Sequence, residues 1–213
     1  MNNSTAEGFE EHNIQVVKTA RYYSYGNKNA KQIWYLLHGY GMPAFSMLKA
    51  VKSLNKEDIL FIAPEGLSRF YRSGYSGAIV ASWMTKEDRL NEIKDYVLYL
   101  ENLNEKVNPT NLTINVLGFS QGVATASRWV VNSKASFNNI ILWAGEPAME
   151  IDYAQSKEKF ANSKFIFGNN DPFITDTNIN SIKHFFNAAG IPILFRSFEG
   201  KHELDSTLLS QLL

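Results

Sequence analysis

Hydrophobic residues cluster along this chain in short runs, most of them ending in glycine or turn residues. Those with strand character are Ile14–Ala20, Gln32–Leu37 (QIWYLL), Ile59–Ala63 (ILFIA), Leu112–Leu117 (LTINVL), Ile140–Ala144 (IILWA), Lys164–Phe167 (KFIF) and Ile191–Phe198 (IPILFRSF). Several are apolar almost throughout instead of alternating, which suits strands covered on both faces. Between them the spacing predicts helices over Ala44–Leu54, Gln121–Asn132, Ile179–Ala189 and Leu204–Leu213. A further helix opens at Thr85, a predicted N-cap followed by acidic residues, and carries Leu90, Ile93, Val97 and Leu100 on one face. Strand alternating with helix predicts a mostly parallel central sheet in a three-layer α/β fold, where ligands bind at the carboxyl ends of the strands.

No Pro/Gly/Ser-rich linker, charge run or repeat divides the 213 residues, so 1–213 reads as one domain with a polar, flexible start over 1–12. Twenty-one basic residues balance twenty-one acidic ones, which argues against a nucleic-acid partner and for a neutral small-molecule substrate. The absence of cysteine excludes disulfides, thiolate metal sites and a cysteine nucleophile, and fits a cytoplasmic protein. The opening MNNSTAEGFEEHNIQ lacks the basic flank and apolar stretch of a secretory signal, and no run approaches the roughly 20 apolar residues of a membrane span.

The stretch Gly118-Phe-Ser-Gln-Gly122 lies between a predicted strand and a predicted helix, the context that a G-x-S-x-G turn requires. A strand reversing sharply into a helix holds its central residue in strained geometry, and glycine two positions either side avoids clashes. Ser120 would then project from the top of the sheet beside a helix N-terminus, whose partial positive charge favours an oxyanion.

A nucleophilic serine needs a base and an orienting acid, in the chain order Ser, Asp/Glu, His for such a fold. His202 follows a strand in the turn Glu199-Gly-Lys-His202 and is the preferred base, whereas His184 sits in a predicted helix. Asp171, in Gly168-Asn-Asn-Asp-Pro172 after the strand KFIF, is the preferred acid; Glu146 is the alternative, and Asp176 reads as a helix cap. Leu37-His-Gly-Tyr-Gly41 ends another strand, and the backbone N–H groups of Tyr40 and Gln121 together would form an oxyanion hole. His38 precedes the serine and reads as a structural turn residue.

With LHGYG, GFSQG, GNNDPF and EGKHEL in that order, the chain resembles the α/β-hydrolase superfamily, and within it the phospholipase/carboxylesterase family that includes the acyl-protein thioesterases. The similarity runs from about Gln32 to the C-terminus. It implies hydrolysis of carboxylic esters or thioesters through an acyl-enzyme, with Ser120, Asp171 and His202 as triad and Tyr40 and Gln121 as oxyanion donors. Ala81-Ser-Trp83 resembles a serine-tryptophan pair of the family's active-site loop, which makes Trp83 a substrate-binding candidate. Met42 stands where the family often has aspartate, and Lys201 separates Gly200 from His202.

The aromatic and arginine-bearing segment 64–84 is a candidate pocket wall, and 146–163 reads equally as a cap or as an ordinary helix and loops. The triad chemistry needs no cofactor or metal, and the chain contains neither H-E-x-x-H nor cysteine. Lysophospholipase, peptidase or lactonase activity would use the same residues; a non-catalytic binding protein of this fold would lack a triad member or misplace it. A homodimer is compatible with the sequence.

Overall fold

The structure, a computed structural model, describes residues 9–54, 56–110 and 112–213. The expected flexible start therefore falls, for residues 1–8, outside the described residues. The strands are β1 (Tyr22–Gly26), β2 (Gln32–Leu37), β3 (Ile59–Pro64), β4 (Ser68–Ser73), β5 (Ser76–Ser82), β6 (Thr113–Phe119), β7 (Phe137–Trp143), β8 (Ser163–Gly168) and β9 (Leu194–Phe198). The α-helices are α1 (Phe45–Val51), α2 (Arg89–Val107), α3 (Gln121–Asn132), α4 (Asp176–Ala188) and α5 (Ser206–Leu212). Among the described residues no helix is long and apolar enough to cross a membrane.

Seven strands form one sheet in the order β1-β3-β2-β6-β7-β8-β9, in which β1 is antiparallel and the others run parallel. Alternate residues of β2 enter different cores. Ile33, Tyr35 and Leu37 pack with residues of α2, α3 and α4, whereas Trp34 and Leu36 pack with residues of α1 and α5. This two-sided burial explains why QIWYLL shows no polar alternation. The predicted three-layer α/β arrangement is the one observed.

A row of polar side chains crosses the central strands near their amino ends. The buried Asn115 amide donates to Gln32 Oε1 at 3.1 Å and to Ile33 O at 3.3 Å, and its Oδ1 accepts from Asn139 at 2.8 Å. Lys164 Nζ then donates to Asn139 Oδ1 at 3.2 Å. Each group has a partner, so the row discourages a register slip between β2, β6, β7 and β8.

Four sequence expectations change, and a fifth, left open between two readings, is decided. Ile14–Ala20 is not a strand: β1 lies just after it and already fills the β3 edge, while Ile14, Val16 and Val17 stay exposed. The long helix begins at Arg89 and not at Thr85. Thr85 Oγ1 accepts the Glu87 N–H at 3.2 Å, a local turn that competes with helix, and Asp88 follows in left-handed geometry at φ 47°. The segment 64–84 contains the β4–β5 hairpin, whose largely exposed β4 lacks a clear apolar period. Thr175, not Asp176, caps α4, its hydroxyl accepting the Asn178 N–H. The segment 146–163 is no free cap: its 3₁₀ turn Ala154–Phe160 seats Phe160 beside buried Tyr153, which packs edge-on against Phe185 and Phe186.

β6 and α3 meet where the chain has no room for side chains. A Cβ on Gly122 would press into the Leu37 carbonyl and lie 2.9 Å from the His38 oxygen. Gly122→Ala is therefore expected to lower the free energy of unfolding by about 1–3 kcal/mol. Urea denaturation checks this, and an unchanged midpoint would mean that the β2 end yields freely.

Candidate active site

Ser120 occupies the junction of β6 and α3 with φ 53° and ψ −119°, a conformation that L-residues rarely adopt. Such strain persists only where the surroundings enforce it. Here they do: the Ser120 N–H donates to Trp143 O at 2.9 Å, and Ser120 O accepts the Val123 N–H at 2.9 Å. The side chain is thereby lifted to the carboxyl end of the sheet, as the strand-turn-helix pattern predicts.

Two loops bring the other polar groups to it. The turn after β8 and the loop after β9 are laced together, Asn169 N–H donating to Phe198 O and Asn170 N–H to Gly200 O, both at 2.9 Å. The Trp143 indole N–H donates to Glu203 O at 2.8 Å and ties the second loop to the end of β7. His202 Nδ1 consequently lies 2.8 Å from Asp171 Oδ2, and His202 Nε2 lies 3.0 Å from Ser120 Oγ. The Asp171 side chain is fully buried, and its other oxygen accepts the Phe173 N–H at 2.8 Å. A carboxylate only accepts, so Nδ1 carries the proton and Nε2 can accept from the serine hydroxyl. Phe119 and Phe173 pack on the imidazole with ring centroids 5.0 and 4.8 Å away. Such an arrangement can draw the proton from Ser120 Oγ and stabilise the resulting imidazolium.

The loop after β2 borders the same site. A Cβ on Gly39 would stand 3.1 Å from Ser120 Cβ, so the Gly39–Tyr40 backbone approaches the serine closely. Beyond Tyr40 the chain pairs with β5: Gly41 N–H donates to Ala81 O at 3.0 Å and Ala81 N–H to Met42 O at 3.2 Å. Among the described residues, neither the Tyr40 N–H nor the Gln121 N–H is matched with a protein acceptor. The Tyr40 ring is 61% exposed and rests on Phe70 of the hairpin, with centroids 5.5 Å apart.

Trp83 departs from its expected role as a substrate contact. It is 1% exposed, stacks on His38 with centroids 5.0 Å apart, and donates its indole N–H to His38 O at 2.8 Å. Its own N–H is held by the Gln121 side chain at 3.1 Å. Gln121 Nε2 also donates to Met84 O at 2.7 Å, so this side chain fastens the end of β5 to the start of α3. The indole is a core group because every polar atom it carries is satisfied inside. Glu146 is exposed and accepts from Asn178 instead of approaching His202, and His184 is exposed on α4. Among the described residues no cluster of three or more histidine, aspartate or glutamate side chains offers a metal site.

A cavity of about 420 Å³ opens at Ser120 and His202, on the α1 side of the sheet and away from Trp83. Tyr40, Met42, Ala50, Phe119 and Leu204 supply its apolar wall, with Ser46 and Glu203 as further polar groups. Sequence reasoning missed these wall residues. Ser46 and Ala50 are four apart and so share one face of α1, and Glu203 directly follows His202; both signals become meaningful only once the serine's location in space is known.

Residues 23–213 match the sequence profile described as phospholipase/carboxylesterase. The fold is similar to acyl-protein thioesterase 2 of Zea mays, with a TM-score of 0.70 and 17% identity over 91% of this chain and 96% of that one. It is also similar to a phospholipase/carboxylesterase of Dyadobacter fermentans, with a TM-score of 0.64 and 15% identity over 93% and 98%. A carboxylesterase of Mesorhizobium loti is similar with a TM-score of 0.63 and 12% identity over 85% and 88%. No curated protein matches the chain in sequence.

Burial pushes the His38 imidazole below its ordinary value of 6.5, opposed by its bond to Gly39 O and by the Glu65 carboxylate. The unfolded chain then binds this proton at a higher pH than the folded one. His38 therefore withdraws stability as pH falls from about 6.5 toward the depressed value, and adds no pH dependence above that window. Unfolding midpoints in urea at about pH 7.5 and pH 5.5 check this: the wild type is expected to lose more stability on acidification than His38→Asn does.

Proposed function

Because the chain belongs to the phospholipase/carboxylesterase family, we propose that it is a serine hydrolase cleaving neutral carboxylic esters or thioesters through an acyl-enzyme on Ser120. The observation that carries this reading is the continuous path from Asp171 Oδ2 to His202, 2.8 Å, and from His202 to Ser120 Oγ, 3.0 Å. Ser120 Oγ attacks the acyl carbonyl while His202 Nε2 takes its proton and Asp171 holds the imidazole in the required tautomer. The Tyr40 and Gln121 N–H groups receive the oxyanion. As the tetrahedral intermediate collapses, His202 returns the proton to the departing alcohol or thiol. Water then gives a proton to His202, attacks the acyl-enzyme and releases the acid, restoring Ser120.

The cavity supports a substrate without negative charge. Its wall is chiefly apolar, the exposed Glu203 stands at its rim, and its size lies within the range of small-molecule sites. Residues 1–213 act as one catalytic unit, and their cysteine-free composition fits work in the cytoplasm.

Hydrolysis of p-nitrophenyl esters from acetate to palmitate tests the reading. Ser120→Ala is expected to abolish turnover and labelling by a fluorophosphonate, whereas equal turnover by wild type and variant would remove the proposal. Asp171→Asn is expected to lower kcat by about 10³–10⁴-fold, because the histidine is then presented in the wrong tautomer. In Glu203→Gln, the kcat/KM ratio of an ester with a terminal carboxylate over its uncharged counterpart is expected to rise several-fold. A constant ratio would show that this carboxylate does not reach the substrate.

A further inference from the structure

His38 is fully buried at the end of β2, one residue before the glycine that touches Ser120. Both ring nitrogens are committed. Nδ1 lies 2.7 Å from Gly39 O, and Nε2 accepts the Gly66 N–H at 2.9 Å. A carbonyl can only accept and a backbone N–H can only donate, so the ring is neutral with its proton on Nδ1. Trp83 fixes the residue further by stacking on the ring and donating to the His38 carbonyl. Such complete engagement of a buried imidazole, immediately beside the serine but absent from the proton path, calls for a physical role.

We propose that His38 is a positioning residue that sets the orientation of the Gly39–Tyr40 peptide and thereby aims the Tyr40 N–H at the reacting carbonyl oxygen. Among the described residues every peptide bond is trans, and in a trans peptide the C=O and the N–H point in opposite directions. Holding Gly39 O against the His38 ring, on the Trp83 side, turns the Tyr40 N–H to the opposite side, where Gly39, Tyr40 and Ser120 line the cavity. The Met42 N–H also donates to Gly39 O, at 3.3 Å, so His38 supplies the shorter of two bonds to this carbonyl, and the pairing of Gly41 and Met42 with Ala81 anchors the next residues. If the peptide flipped, the cavity would meet a carbonyl oxygen and repel the oxyanion. The inference rests on the proposed use of the Tyr40 N–H as an oxyanion donor.

Two variants separate the two bonds of the ring. His38→Asn keeps a donor at the place of Nδ1 but loses the acceptor for Gly66, whereas His38→Gln keeps an acceptor near Nε2 but loses the donor to Gly39 O. Each is measured for kcat and KM on p-nitrophenyl butyrate, for affinity toward a trifluoromethyl ketone that adds to Ser120, and for thermal stability. His38→Gln is expected to lose about 10²-fold in kcat and a comparable factor in ketone affinity with KM little changed, the loss typical of one missing oxyanion donor. His38→Asn is expected to retain most of both. A folded His38→Gln with undiminished kcat overturns the inference, as does a loss in both variants that simply follows their stability. If His38→Gln does not fold, His38→Asn decides, and a 10²-fold fall in its ketone affinity overturns the inference. A wild type that neither turns over the ester nor binds the ketone removes the functional reading, and this inference with it. An active wild type with an undiminished His38→Gln removes this inference alone.

Discussion

Backbone meets backbone so closely around Ser120 that the neighbouring elements are left almost no choice of position. Gly118 lies under the first turn of α3, and Gly122 lies against the end of β2, so the serine is forced into positive φ at the top of the sheet. Moving α3 outward by the width of a methyl group would relieve that geometry and also withdraw Ser120 from His202. Helix packing behind the turn prevents this. Val123, Ala126, Trp129 and Val130 are buried against the sheet, and Lys159 donates to the carbonyls of Val130 and Val131 in the last turn of α3 and of Ser133 just beyond it.

Around that fixed point the site is assembled from segments far apart in the chain, held chiefly by backbone acceptors. The His202 loop is anchored by Trp143 and by the turn carrying Asp171. The loop after β2 is anchored by β5, His38 and Trp83. The Gln121 side chain links β5 to the helix that follows the serine. Burying so many polar groups is tolerable only because each finds a partner, and the partners in turn leave each loop little freedom. Trp83, which the sequence pattern sends to a pocket, is used here as such a partner, as is Trp143.

Much of the fold is legible in the chain because local rules and tertiary packing agree. β2 and α3 begin and end where the apolar runs and the glycine turn place them. The hairpin β4–β5 is not legible in the same way, since most of β4 faces solvent and its pairing, not its burial, makes it a strand. Thr85 illustrates the opposite failure: a good capping residue can satisfy a turn as readily as a helix, and its N–H goes to Glu92, seven residues on.

The local residue pattern dictated the strand-turn-helix at Ser120, because the steric demand of that turn is local and glycine answers it. It also determined the order of Asp171 and His202 at successive strand ends, because parallel strands bring their carboxyl ends to one edge of the sheet. That Trp83 faces the core and that the cavity opens on the α1 side follow from long-range packing. Those outcomes depend on which face of the sheet each loop crosses and which acceptor its side chain meets, and neither is encoded within a few residues of the side chain concerned.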